Sequence, residues 1–373
     1  MEKFLLMRDK MRIFTVLLTL QLIVLSAAAQ DKAEQMKHIR EVYAQAHQKA
    51  ADNGKGEKAP MDVCISQIDM GMPDADYSVE EDTETRFFFE RIGGDRENDV
   101  AGKGVCYLIT KNWTADGHTN YREMLFDPVK GHLLFSFMKA ETHAGFKVET
   151  RYYYNEQGQC IEQKHKVQDE EVTADSHSWS TWDGDLEMSR SELKLFDLLV
   201  NTQPPYEELG SAPHPANTPK AQRLKEIRSA YAEAKQKMEQ NDKADGVKNE
   251  IQIVVHDQRS EDFPPATTKL KCYYEHVNKD GLFQHYYFIT EEQESMYGSA
   301  YEEYLTDPNP VGENLIFNYC KGTFEGDEVE MRYYYDDNGH CIEAKVSDLV
   351  EAEPVPARNK AGYLFSIFDL MMK

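Results

Sequence analysis

The 373-residue chain predicts an α+β fold of two tandem modules, each an N-terminal helix, an antiparallel meander of about six or seven strands, and a short C-terminal helix. Three observations predict it. A set of segments occurs twice in the same order, each copy passes from a helical to an alternating hydrophobic period, and the strands are joined by turns too short for crossovers.

The repetition runs the length of the chain. Lys37–Lys49 (KHIREVYAQAHQK) matches Lys225–Lys237 (KEIRSAYAEAKQK), and Tyr121–Pro128 (YREMLFDP) matches Tyr301–Pro308 (YEEYLTDP). Arg151–Tyr154 with Gly158, Cys160, Ile161 and Glu162 matches Arg332–Tyr335 with Gly339, Cys341, Ile342 and Glu343. The ends correspond too, as Phe196–Leu199 and Phe368–Met371.

Taken in order, the first element is a leader. Ile13–Ala29 is one apolar run preceded by Arg8, Lys10 and Arg12 and ending in three alanines before Gln30. That pattern predicts a secretory signal peptide over 1–29, cleaved between Ala29 and Gln30, and a periplasmic or extracellular location. No later stretch is apolar enough to predict an integral membrane segment. Module one is expected over 30–203, a proline-rich linker over 204–218 and module two over 219–373, each module with a core of its own.

Within module one, Met36, Ile39, Tyr43 and Ala46 share a helical face; Leu224, Ile227, Tyr231, Ala234 and Met238 do so in module two. Short aromatic-rich strands follow, among them VCISQI, RFFFERI, GVCYLIT and KVETRYYY. Asp127-Pro128 before Gly131 and Asn155 before Gly158 supply turns. SELKLFDLLV and GYLFSIFDLMMK predict the closing helices.

A net charge of −24 argues against nucleic-acid binding, which needs basic side chains to displace counterions. The six cysteines sit among strand residues without CxxC spacing, which favours buried thiols over a disulfide framework. Motifs for catalytic chemistry, metal or cofactor are missing: there is no HExxH, GxSxG, phosphate loop or GxGxxG. None of the twelve histidines recurs at a matched position, so a histidine-based site is not common to both copies.

Four features remain as candidates. Asp74–Glu84 holds six acids but has Val79 where a calcium loop needs glycine, and a solvated loop is the expectation. Trp179 and Trp182 beside Asp183 would suit sugar stacking, against burial as part of a core, which is favoured. Glu123 and Glu303 lie on an inward parity and need partners, for which Arg40 and Arg228 are the candidates. Finally, Glu149, Arg151 and Tyr153 recur as Glu330, Arg332 and Tyr334 on one strand parity, opposite Tyr152 and Tyr154. Arg151, Tyr153, Arg332 and Tyr334 are therefore the binding candidates, with Arg151 and Tyr153 expected to be at least partly exposed, weighed against an idle charge ladder.

The Tyr-x-Glu-x-Leu-x-Asp-Pro hairpin, the Arg-Tyr-Tyr-Tyr hairpin and the Ala-Ala-Ala/Gln site together resemble uncharacterised exported proteins of Bacteroidota-type bacteria. The likeness spans both modules and implies no activity. A helix on an antiparallel meander is also similar to cystatin-like and tandem inhibitor architectures, in fold alone. The reading that follows is an exported, non-enzymatic binding or interaction protein for a protein or small-molecule ligand. Its alternatives are a hydrolase-like enzyme with a site near His177, Trp179, Trp182 and Asp183, and an envelope structural component.

Overall fold

The computed structural model describes residues 30–371 apart from 57–58, 70–80, 95–100, 116, 143–144, 173–180, 203–218, 244–247, 259–263, 279–281, 297, 308–313, 325–326, 337 and 347–354. Helix α1 (30–52) leads into β1 (Asp62–Asp69), β2 (Glu81–Ile92), β3 (Lys103–Ala115), β4 (His118–Phe126), β5 (Leu133–Glu141), β6 (Lys147–Tyr154), β7 (Cys160–Val167) and β8 (Glu170–Val172). Helix α2 (Trp182–Phe196), extended by a π-helical turn (Asp197–Asn201), closes the N-terminal half. The C-terminal half repeats the order: α3 (Lys220–Asn241), β9 (Asn249–Asp257), β10 (Ala266–Asn278), β11 (Leu282–Ser295), β12 (Gly298–Thr306), β13 (Leu315–Phe324), β14 (Asp327–Tyr335), β15 (Cys341–Val346) and α4 (Val355–Met371).

Hairpin chemistry explains why consecutive strands pair. Asn155 Oδ1 accepts from the backbone N–H groups of Gln157 and Gln159, and Asp336 Oδ1 accepts from those of Asn338 and His340. Each of these turns ends on a glycine at φ 74°, Gly158 and Gly339, a conformation that a Cβ would strain.

The two meanders form one antiparallel sheet of 15 strands, ordered β15 to β9 and then β1 to β8. They meet at β1 and β9, where Ile65 stands opposite Ile253. The same offset of 188 that matches Lys37 with Lys225 matches these two isoleucines. An antiparallel pairing of matched residues is what a local two-fold axis between the halves produces. Three backbone bulges also fall at matched places, after Phe88 and Tyr273, after Leu125 and Leu305, and after Tyr153 and Tyr334.

Two faces of this sheet are covered differently. On one face α1 lays Ile39 and Ala46 on Phe88, Leu108, Leu125 and Phe135. On the same face α3 lays Leu224, Ile227 and Ala234 on Tyr273, Phe288, Leu305 and Phe317. On the other face α2 and α4 cover a single cluster that runs through Phe87, Phe196, Ile65, Ile253, Cys272 and Phe368. The expectation of a separate core in each module therefore holds under the opening helices only. Under the closing helices both halves share one core, because β1–β9 pairing leaves no gap in the sheet there.

The seam is fastened at both ends. At one end Arg91 of β2 donates to both oxygens of Asp257, at 2.8 and 2.6 Å, and to the carbonyl of Val200 at 3.0 Å. At the other end His276 of β10 lies 2.9 Å from Asp69. These are matched pairs: Arg91 and His276 each stand three residues past the bulge, and Asp69 and Asp257 each stand four residues past the paired isoleucines.

All six cysteines are free, Cys106 and Cys272 buried and the others half-buried. Among the described residues no helix is long and apolar enough to cross a membrane.

Candidate functional site

The strand register assembles a matched row of side chains on the face of each half that carries the opening helix. Thr110, Glu123, Phe137, Arg151 and Lys164 stand side by side on β3 to β7. Thr290, Glu303, Tyr319, Arg332 and Lys345 do so on β11 to β15. Alternation along each strand puts every one of these side chains on the same face. Each opening helix reaches the row through Tyr43 and His47 in one half and Tyr231 and Lys235 in the other.

Second in each row is a buried carboxylate. Glu123 and Glu303 are 5% and 3% exposed. Glu123 accepts from the phenols of Tyr43, at 2.8 Å, and Tyr121, and His47 Nε2 lies 3.4 Å away. Glu303 accepts from Tyr231 at 2.5 Å, Tyr301 at 2.8 Å and Lys235 at 2.9 Å. Burial, reinforced by the adjoining carboxylate, raises the pKa of Tyr43, Tyr121, Tyr231 and Tyr301, so these phenols stay protonated donors.

The partners expected for these carboxylates, Arg40 and Arg228, are not the ones found. Arg40 is exposed, and Arg228 lies 3.9 Å from Glu343 and 5.9 Å over the Tyr334 ring. Tyrosine three residues later on each helix takes the role, because it sits on the face that meets the sheet. The sequence signal was present as Tyr-x-Glu on one strand parity and Tyr43/Tyr231 in the matched helices. Substituting Glu123 or Glu303 with alanine should cost about 1–3 kcal/mol, since two half-buried phenols lose their acceptor. Urea denaturation measures it, and a change below about 0.5 kcal/mol would show that the carboxylates do not hold the helices.

The four binding candidates separate into two kinds. Arg151 and Arg332 are half-buried and exposed, respectively. Each forms an ion pair with its own strand neighbour, Glu149 or Glu330, and lies 5.3 or 5.6 Å over an aromatic ring, Phe137 or Tyr319. Tyr153 is half-buried and its ring lies tilted against Phe135, which Tyr43 of α1 also touches. Tyr334 is buried at 7%, against Phe317 and, through it, Tyr231 of α3. The partial exposure expected of Arg151 and Tyr153 is found, while the matched Tyr334 is buried. The opening helix packs on this parity as well, so both faces of the sheet carry a core and the tyrosines seat the helix.

The outer end of the row is tied to the start of the helix. Lys32 and Lys164 each lie 3.1 Å from Glu162; Lys220 and Lys345 lie 3.9 and 3.6 Å from Glu343. Lys164 and Lys345 remain largely exposed, at 43% and 54% of the side chain.

Other sequence candidates fare differently. Trp182 is 42% exposed in the first turn of α2, with its carbonyl accepting from Tyr154, so it is not part of a core. Thr181 caps that helix through the Gly184 N–H, and Asp183 is exposed beside it. His177 and Trp179 lie outside the described residues, as does the acidic segment up to residue 80; Asp82 and Glu84 are exposed on β2. A cleft at the seam is lined by Arg91, Lys103, Asn201 and Asp257, but its buried cation is already committed to Asp257. Among the described residues no group of three or more His, Cys, Asp or Glu side chains is placed to hold a metal ion.

No family model, no curated protein and no solved structure matches this chain.

Proposed function

We propose that the chain is an exported, non-enzymatic binding protein that arose by duplication of one helix-and-meander module. It engages a protein or small-molecule partner through two matched polar strips, Arg151 with Lys164 and Arg332 with Lys345. One observation carries this reading. The two halves keep the same cation-bearing row, including an aromatic ring beneath each arginine. On β3–β4 and β11–β12, by contrast, Lys111 and Arg122 give way to Glu291 and Glu302. The row is therefore kept where a neighbouring charged pair is not, and its lysines reach solvent.

Arginine and aromatic groups together suit a contact with anionic or planar chemistry. Arg151 and Arg332 are 11 strand spacings apart, roughly 50 Å along the sheet, so the two strips act as separate contacts on one rigid support. Export is supported by the apolar run Ile13–Ala29 and its small-residue end.

Arg151→Ala combined with Arg332→Ala should leave stability within about 1 kcal/mol, as substitutions of accessible side chains do. Protein purified from the envelope or medium of its native host should start at Gln30 by intact mass and carry a partner identifiable by mass spectrometry. The double variant should lose that partner. Equal recovery of the partner with both arginines absent would refute the assignment of the strips, and a mature chain retaining residues 1–29 would refute export.

A further inference from the structure

Beneath the closing helices, each half places two like charges directly opposite one another. Lys111 of β3 faces Arg122 of β4, and at the matched positions Glu291 of β11 faces Glu302 of β12. A directly opposed like-charge pair is unfavourable in a sheet, and here both pairs lie under a helix, where water screens them poorly. Arg122 and Glu291 are 8% and 3% exposed.

Each pair meets opposite charge on its closing helix, with opposite polarity in the two halves. In the N-terminal half, α2 supplies the acids: Asp185 lies 3.6 Å from Arg122, and Glu192 lies 3.7 Å from Lys111. In the C-terminal half, α4 supplies the base: Lys360 Nζ lies 2.8 Å from Glu291 and 2.9 Å from Glu302. Tyr304, fully buried, donates to Glu302 as well. The matched helix position is Met188 in α2, whose sulfur contacts Arg122. The same helix position thus touches the same strand position in both halves, with the charges rearranged.

Burial raises Asp185 and Glu192, against the pull of Arg122 and Ser136 on the one and of Lys111 and Arg122 on the other. Burial pulls the Lys360 ammonium down, but Glu291 and Glu302 outweigh it and its pKa is raised.

We infer that reversed charge addresses each closing helix to its own half of the sheet. The need for an address is visible in the fold. Helices α2 and α4 lie on the same face of one sheet, in one continuous hydrophobic cluster, and Tyr363 of α4 donates to the Leu198 carbonyl in the turn that extends α2. Apolar burial alone does not distinguish two amphipathic helices that end in Phe-Asp-Leu. Exchanging them would set Asp185 and Glu192 against Glu291 and Glu302, and Lys360 against Lys111 and Arg122.

The test reverses polarity in one half of the full-length chain. Lys360→Glu gathers three carboxylates and should lower the folded-to-unfolded ratio by about 100-fold or more, the scale for breaking a buried pair. Adding Glu302→Arg, which places at 302 the residue type found at 122, should recover at least about tenfold of that loss in a double-mutant cycle. If Lys360→Glu alone yields no folded protein, recovery of folded protein with the second change is the readout. The reciprocal pair, Arg122→Glu with Met188→Lys, should behave the same way in the other half. Losses that simply add in both cycles, or double variants no better than the single changes, would overturn the inference.

Discussion

Replacing Arg91 with alanine should destabilise the protein by about 3–5 kcal/mol while leaving a single unfolding transition. The magnitude follows from what the side chain does. It is 8% exposed, it grips both oxygens of Asp257 across the seam, and it also donates to Val200 in the turn after α2. Alanine would leave the Asp257 carboxylate, 20% exposed, without its cation and would free a backbone carbonyl. The matched pair at the other end is weaker. His276 makes one contact with Asp69, so His276→Ala should cost about 1–2 kcal/mol. A single transition is expected because the shared core and the β1–β9 ladder remain in Arg91→Ala. Calorimetry and urea denaturation of both variants would check the ranking. A biphasic curve for wild type, or a loss below about 1 kcal/mol for Arg91→Ala, would mean that the halves unfold separately and that the seam contributes little.

Most elements of this fold were legible in the sequence, and the reasons are local. The helical period of Met36, Ile39, Tyr43 and Ala46 and the alternation in KVETRYYY are recorded by neighbours a few residues apart. Turns at Asn155 and Asp336 declare themselves through a side-chain oxygen and a glycine at positive φ. Meander order follows from short connections, and the observed eight and seven strands are close to the expected six or seven.

What escaped prediction is long-range. Nothing within β1 or β9 says that each pairs with the other rather than standing as an edge, because both read as ordinary alternating strands. Missing that pairing produced the expectation of two separate cores. The site was half legible for a related reason. Inward parity pointed to Glu123 and Glu303 and to their need for partners, but which helical residue reaches them depends on the helix's rotation over the sheet. Arg40 and Tyr43 differ by most of a turn, and only packing decides between them. The burial of Tyr334 was not legible because alternation shows that two parities differ without showing that both are covered.

The shared core leads to a result that separates this architecture from two domains on a linker. Phe368→Ala, in the last turns of α4, should destabilise the chain by about 3–5 kcal/mol, as truncation of a buried phenylalanine does. Phe368 is fully buried, packs near the Tyr286 ring, and belongs to the cluster that also contains Phe87, Phe89 and Phe196. A cavity there removes contacts from a continuous layer, and close-packed interiors transmit such loss to their neighbours. Amide exchange should therefore show reduced protection in β1, β2 and β3, more than a hundred residues away in sequence, as well as in β10 and β11. Ile227→Ala supplies the contrast. Ile227 is equally buried, but it lies under α3 in a cluster drawn from the C-terminal half alone. Its truncation should cost about 2–5 kcal/mol, and sub-global exchange should rise mainly in α3 and β10 to β14. If Phe368→Ala loosens only β10 to β15, the cluster beneath the closing helices is two cores in contact. If it loosens the N-terminal strands as well, while Ile227→Ala spares them, the closing helices join the halves into one cooperative unit.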